Sequence, residues 1–472
     1  MAVYINKYTK VMKTRNIIIL GLAAVAFTGC KSLYGTYERP EVVDQNVVRD
    51  PVDDKAMLAV ADSANFGNLP WRSVFTDPQL QVLIEKALEN NPNLLNAALN
   101  IDMAEAQLKA AKLSFLPSVA FAPQGSITHF GEHSKSTLAY SLPISASWNV
   151  DLFGNLLSQK RAAQVALLQM RDYRLAVQTS LVCNVANLYY TLLMLDRQQE
   201  IVADMQGLTK DTWEMMKLQM SFGRARSTSV QSAEAAYYSV LTQDADIRRQ
   251  IREVENSLSL LMGEPAHAIA RGKLDSQYLP NEFSTGVGIQ MLANRPDVHA
   301  NEMALAQCFY GVETARSRFY PNITISPTGA FTNNNGLVNP GKILLSLVGQ
   351  LTQPIFQRGQ LVAGLRVAEA QYKQAYNDWQ NSILSAGSEV SNALVQYNSS
   401  VEKSQLEEKQ IEVLLKNVEH TQMLFRQSSS TYLEVITAQQ QLLNAEISKV
   451  QDDFSKAQAV INLYYALGGG VN

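Results

Sequence analysis

The stretch that decides the fold is ARSRFYPNITISPTGAF, residues 315–331. It begins as the end of a helix and meets Pro321, which cannot continue one. Beyond the proline Ile323, Ile325, Gly329 and Phe331 take odd positions, while Thr324, Ser326 and Thr328 take even ones. That is the period of a strand, and it predicts one face toward an apolar phase and the other toward water.

The stretch has a twin. AKLSFLPSVAFAPQGSI, residues 111–127, aligns with it at an offset of 204, placing Phe115 on Phe319, Pro117 on Pro321, Pro123 on Pro327 and Gly125 on Gly329. The match extends upstream, where Asn91-Pro92 falls on Arg295-Pro296, and downstream, at an offset of 205, to Met262-Gly263 on Leu467-Gly468. Two copies of one unit, 88–263 and 292–468, make up most of the chain. Each reads as a helix of about 24 residues opened by a first-turn proline, a pair of strands, a helix of about 60 residues, a short turn, and a helix of about 34 residues closed by glycine. Leu167, Met170, Val177, Leu181, Val185, Leu188, Leu192 and Leu195 recur at helical spacing, a seam for a neighbouring helix. About 60 residues at 1.5 Å per residue exceed what a globular domain needs.

The strand regions span about 117–152 and 321–356. From 138 to 152 every even position is apolar, including Leu142, Ile144, Trp148 and Val150, and the odd ones are mostly small or polar. A sheet on a soluble core gives the same alternation, but strands of about 10–15 residues suit a tilted membrane span, and only helical seams remain to cover them. Polar loops, HFGEHSKS and NNNGLVNPG, separate the strands of each pair. Two hairpins cannot close a barrel, and open edges are not tolerated in lipid, so several chains must contribute; a trimer with twelve strands is the natural solution.

The chain has 472 residues and a formal net charge of −3. Ile17 to Gly29 is an apolar run behind Lys13 and Arg15, too short to span a bilayer and laid out as a signal peptide, so 1–29 is expected to be removed. Met12-Lys13-Thr14-Arg15 offers a second translation start beside Met1. Phe27-Thr28-Gly29-Cys30 has the form of a lipobox, with Phe27 in place of the usual Leu, which makes Cys30 the expected lipidation site. Residues 30–70 read as an extended lipid-anchored tether, 71–90 as a short helix capped by Asp77 and Pro78, and 264–291 as a linker. Without the first 29 residues 36 basic groups face 43 acidic ones, which argues against nucleic acid as a partner. Cys183 and Cys308 then remain, each in a helical stretch without a second thiol, and are expected to be packing residues.

At this point the residues resemble a known family. WRSVFTDPQLQVLIEKALENNPNL (71–94), the paired FLP and FYP junctions, WNVDLFG (148–154), LTQPIFQRGQ (351–360) and LYYALGGG (463–470) are similar to the TolC/OprM-type outer membrane efflux proteins, in particular the lipoproteins that serve RND-type pumps. The resemblance implies a mixed α and β, TolC-like fold. It further implies a homotrimer in the bacterial outer membrane, with a twelve-stranded β-barrel joined to a periplasmic barrel of twelve helices. The short helix 71–90 and the linker 264–291 are then equatorial. The expected function is a passive duct exporting small molecules (drugs, detergents or metal ions), working with a periplasmic adaptor and an inner membrane pump. It also implies a periplasmic gate in FRQSSSTYLEVITAQQ (425–440), where Phe425 and Glu434 match the family's aromatic and first acidic positions. Ser430 stands where the family has Arg, and Thr437 where it has a second Asp. A ring of three Glu434 carboxylates would favour cations, whereas a solvated charge at a helix start is the plainer reading. In the first copy Arg224, Arg226, Gln231 and Glu234 are the expected adaptor-contact tip.

The sequence carries no nucleotide-binding glycine loop, no HExxH and no nucleophile elbow, so neither an enzyme nor a cofactor is expected. His129 and His133 lie in a predicted loop without a third ligand nearby. Two other readings stand beside the efflux duct: a type I secretion-type duct for protein, and a periplasmic coiled-coil scaffold without a pore. A scaffold would have no use for the apolar faces of 138–152.

Overall fold

The computed structural model describes residues 35–41, 66–128, 137–280, 295–333, 342–427 and 430–470. The expected signal segment, Cys30, His129 and His133 lie outside these residues. The chain forms two compact units, one within Met1–Glu41, Asn100–Arg171 and Ala300–Gln380, the other within Val42–Leu99, Asp172–His299 and Asn381–Asn472.

The order of elements repeats. The first copy runs α2 (Pro92–Leu113), β1 (Ser118–Phe121), β2 (Gln124–Thr128), β3 (Thr137–Val150), α3 (Asn155–Ser221) and α4 (Ser227–Leu261), after a shorter α1 (Pro78–Asn90). The second runs α5 (Pro296–Ser317), β4 (Asn322–Asn333), β5 (Lys342–Thr352), α6 (Gln360–Arg426) and α7 (Tyr432–Ala466). α3 and α6 are each 67 residues long and contain no proline. At 1.5 Å per residue that is about 100 Å of helix.

In the first unit the strands make one antiparallel sheet. β3 pairs with β1 and β2 on one side and with β4 on the other, and β4 pairs with β5. β1 and β2 are one strand in two pieces: Phe121 opposes Ile144 and Gln124 opposes Ser141, so the register is unchanged across the gap. The interruption falls where Pro123 and Pro143 come together, and Ala122 keeps one hydrogen bond, donating its N–H to the Pro143 carbonyl at 3.2 Å. Two missing N–H donors in one short register break the ladder. In β4 the matching Pro327 stays paired with Leu347 of β5, so the strand continues although its register with β3 skips Ser326 and Pro327.

The helices of this unit meet at Ala104, Leu108 and Leu167, with Ile101, Ala163 and Met170 packed against them. Leu167 and Met170 of the predicted seam therefore contact a neighbouring helix.

The second unit holds most of the buried core. Leu181, Val185, Leu192 and Leu195 of the seam are at most 4% exposed, and Tyr189, Tyr190, Leu80, Ile84, Leu258 and Tyr464 are also buried. α1 starts as its sequence dictates, with Pro78 in the first turn and the Asp77 carboxylate accepting from Gln79 N at 2.8 Å. Residues 66–75 of this unit are tied to residues 464–470. The Tyr464 hydroxyl donates to the Leu69 carbonyl at 2.6 Å and accepts from Gly470 N at 2.8 Å, while Phe66 and Phe75 pack edge-on against its ring.

Candidate functional site

Three surfaces bear on function: the sheet, its junctions with the helices, and the turns at the far ends of α3 and α6.

Register sorts the sheet into two faces. Ile323 opposes Val150 and Leu351, Ile325 opposes Trp148, and Phe331 opposes Leu142 and Ile343, so these residues share one side. Thr324 opposes Asn149 and Gln350, and Thr328 opposes Ser145 and Ser346, which makes the other side small and polar. Among the described residues nothing covers the apolar face: Leu345 is 83% exposed and Leu347 75%. A soluble monomer does not leave a contiguous surface of this kind in water. Each edge of the sheet, β1–β2 on one side and β5 on the other, lacks a second partner among the described residues.

Pro117 and Pro321 stand in the links between helix and strand, ahead of β1 and β4. Side chains knit these links together. Trp148 Nε1 donates to the Phe115 carbonyl at 3.0 Å, Asn155 Nδ2 donates to Ser317 Oγ at 2.8 Å, and Gln353 Nε2 donates to the Phe319 carbonyl at 3.0 Å. Phe153 stacks on Tyr320 with centroids 5.2 Å apart.

At the far turns Phe425 is 6% exposed and packs with Met216, Val230, Ala233 and Val435, so its ring joins the two helical hairpins. Glu434 and Thr437 are exposed. Glu434 is the third residue of a capping box: its carboxylate accepts from Thr431 N at 3.0 Å, and Thr431 Oγ1 accepts from Glu434 N at 3.4 Å. Ser430 also donates its hydroxyl to Glu434. That bond and the one from the Thr431 backbone hold the carboxyl below its ordinary value. In the other turn Arg224, Arg226 and Gln231 are exposed and Glu234 is half-buried. Arg226 precedes α4 without a side-chain cap, and Gly223 takes the left-handed conformation that reverses the chain.

The sequence reading missed a clamp on the segment that follows Cys30. Arg39 donates to both carboxylate oxygens of Glu302, at 2.8 and 2.5 Å, and Arg161 Nη1 donates to the Gly35 carbonyl at 3.0 Å. The Tyr37 ring meets Phe309 edge-on, and its N–H donates to Tyr310 Oη at 3.3 Å. Burial, with Glu302 nearby, raises the Tyr37 hydroxyl above its ordinary value. The only sequence signal was Tyr37 and Arg39 in a segment otherwise read as tether.

Burial pushes the Cys183 thiol up to about 12 and raises that of Cys308, which suits packing residues. Among the described residues no group of three His, Cys, Asp or Glu is placed to hold a metal ion. No described helix is long and apolar enough to cross a membrane.

The family model described as outer membrane efflux protein matches the chain twice, at residues 83–264 and 288–469. The chain is similar to the cation efflux system protein CusC of Escherichia coli O157:H7, 27% identical over 456 residues, which cover 95% of this chain and 97% of that protein. It is equally similar to the antibiotic efflux pump outer membrane protein ArpC of Pseudomonas putida, 27% identical over 470 residues, covering 97% and 96%. These relatives are named as efflux components, not as enzymes. A crystal structure of CusC aligns with a TM-score of 0.82 at 24% identity, covering 92% of this chain and 99% of that one.

Proposed function

Because the chain belongs to the outer membrane efflux protein family, we propose that three copies close their sheets edge to edge into one barrel, and that this homotrimer is the passive exit duct of a tripartite efflux system. The observation that carries the reading is the sheet of the first unit, apolar and uncovered on one face, small and polar on the other, and open at both edges. Lipid satisfies the first face, an aqueous lumen the second, and neighbouring copies the edges.

The rest of the assembly follows from this reading. Cys30 carries the lipid, and the clamp on residues 35–41 holds the leash. The turns at the ends of α3 and α6 meet a periplasmic adaptor and, through it, an inner membrane pump. Arg224, Arg226, Gln231 and Glu234 offer it exposed charge and hydrogen bonds, while Glu434 and Thr437 face the constriction and Phe425 joins the hairpins that form it. The cargo is a small molecule. The cation and antibiotic relatives are equally similar, so overall identity does not choose between metal ions and drugs. A protein-secretion duct and a scaffold without a pore are the competing assignments.

Conductance of the purified full-length protein in planar bilayers tests the duct. We expect discrete channels from the trimer; a trimer that inserts yet never conducts would sink the reading in favour of a scaffold. Glu434→Ala in the same bilayers should weaken cation preference, and an unchanged preference removes Glu434 from the gate.

A further inference from the structure

The four links between helix and strand carry a charge asymmetry that the duct does not require. Windows 109–117, 151–163, 311–321 and 353–367 hold eight Lys and Arg against two carboxylates, Asp151 and Glu313, in a chain of net charge −3. Register brings these windows to one end of the sheet: Ser118 opposes Ser147, Val150 opposes Ile323, and Asn322 opposes Thr352. Both carboxylates are committed. Asp151 accepts from Leu157 N at 2.8 Å, and Glu313 pairs with Arg316 at 2.9 Å. Lys109, Lys112, Lys160, Arg318, Arg358 and Arg366 have no carboxylate partner among the described residues.

The same end of the sheet exposes large apolar side chains. Ile355 is 95% exposed, Phe356 83%, Leu116 61% and Leu152 49%. They lie just outside the ends of β1, β3 and β5. Arg358 adds a conformational argument. Its φ is 50°, a left-handed conformation that Gly or Asn adopts more cheaply, and Gly359 beside it takes one too. Arg318 borders a recess of about 490 Å³ lined by Phe153, Tyr320, Pro354 and Gln357.

We propose that this collar binds the anionic headgroups of phospholipids in the adjacent leaflet, with Arg318 and Arg358 contacting phosphate and Lys112 and Arg366 adding long-range attraction. The inference rests on the membrane reading above. Apolar side chains that enter a leaflet, ringed by unpaired cations, complement a lipid whose acyl chains and phosphate lie a few ångströms apart. Guanidinium groups meet phosphate with two parallel hydrogen bonds.

The test is electron spin resonance of full-length trimers in phosphatidylcholine vesicles doped with spin-labelled phosphatidylglycerol or spin-labelled phosphatidylcholine. The motionally restricted signal reports lipid touching the protein, and its ratio between the two labels reports selectivity. A basic side chain near an anionic surface corresponds to a factor of about five, so we expect the glycerol headgroup to be preferred about fivefold. The variant Lys112→Gln, Arg318→Gln, Arg358→Asn, Arg366→Gln should fall to about one, and its Lys counterpart at the three Arg positions should keep most of the preference. Restricted lipid without headgroup preference, or a preference that survives neutralisation, overturns the collar and leaves the barrel intact. No restricted lipid in the unmodified protein overturns the membrane reading, and the collar with it.

Discussion

The same corner is built twice in this chain, once with an amide and once with a guanidinium. In the first copy Asn91 Nδ2 donates to the Leu261 carbonyl at 2.9 Å, meeting the end of α4, while its Oδ1 accepts from Asn93 and Leu94 at the start of α2. In the second copy Arg295 stands at the matching position and donates to the Ala466 carbonyl at 3.0 Å, meeting the end of α7. Asn91 does this as a neutral group. The Arg295 side chain does it as a cation only 2% exposed, and therefore needs Asp297 at 2.8 Å and Glu389 at 2.7 Å. Burial works against its charge, but the two carboxylates prevail and hold it above the ordinary Arg value. The repeat thus preserves a hydrogen bond to a helix end, and the means of making it can drift from neutral to charged when neighbours compensate.

The contrast can be broken from the charged side first. Asp297→Asn with Glu389→Gln leaves Arg295 buried without a counterion and should destabilise by about 3–5 kcal/mol in thermal or denaturant melts of the detergent-solubilised protein. Asn91→Ala removes a cap and strands a carbonyl, and about 1–2 kcal/mol is expected. Equal losses in the two corners would mean that the second is no more dependent on charge than the first.

The closing glycines sharpen it. Gly263 and Gly468 both have left-handed backbones, with φ of 67° and 79°. A Cβ at 263 would lie 2.9 Å from the Asn90 carbonyl oxygen, whereas one at 468 would find its nearest neighbour, Arg295 Cγ, at 3.4 Å. Each Ala substitution carries the backbone cost of about 1–2 kcal/mol, and Gly263→Ala should lose more because a backbone oxygen cannot swing aside. A larger loss at Gly468 would reverse the argument.

The far turns repeat the pattern at smaller scale. Thr431 caps α7 and Arg226 leaves α4 uncapped, so Thr431→Ala should cost about 1 kcal/mol and Arg226→Ser should gain a few tenths. Hydrogen exchange of the first-turn amides checks both. Only the capped turn titrates. Glu434 has a folded value lowered from 4.5, so its contribution is complete above 4.5 and is lost as pH falls through the lowered folded value. Exchange in the first turn of α7 should therefore quicken, relative to α4, only under acid conditions, and Glu434→Gln should abolish that difference.

Much of this architecture is legible in the sequence. Proline at 117 and 321, alternation from 138 to 152, and long proline-free stretches speak through local rules, and the helices and strands follow them. What stayed hidden depended on partners far apart in sequence. Pro123 and Pro327 align, yet only the first interrupts a strand, because Pro143 lies one register step away, opposite Ala122. Phe425 reads as a gate aromatic by position, but its ring is buried among Met216, Val230 and Val435, which a linear reading cannot gather. The clamp of Arg39 on Glu302 joins residues 263 positions apart. Glu434 as a helix-start charge was readable from its own neighbours, and Ser430, a departure from the family pattern, supplies a hydroxyl to that same carboxylate.

Tyr464 carries a consequence for biosynthesis. Its hydroxyl joins the Leu69 carbonyl to Gly470 N, and a Cβ on Gly67 would run into the backbone of Leu467. Residues 66–75 therefore have no finished seat until residues 464–470 arrive. A polypeptide threaded through an export machine amino end first must wait, incompletely packed, for its own last turn of helix. A nonsense or frameshift product lacking that turn leaves Phe66, Phe75 and Leu69 without their partners, exposed to periplasmic proteases. The fold thereby makes the packing of residues 66–75 conditional on residues 464–470 having been made.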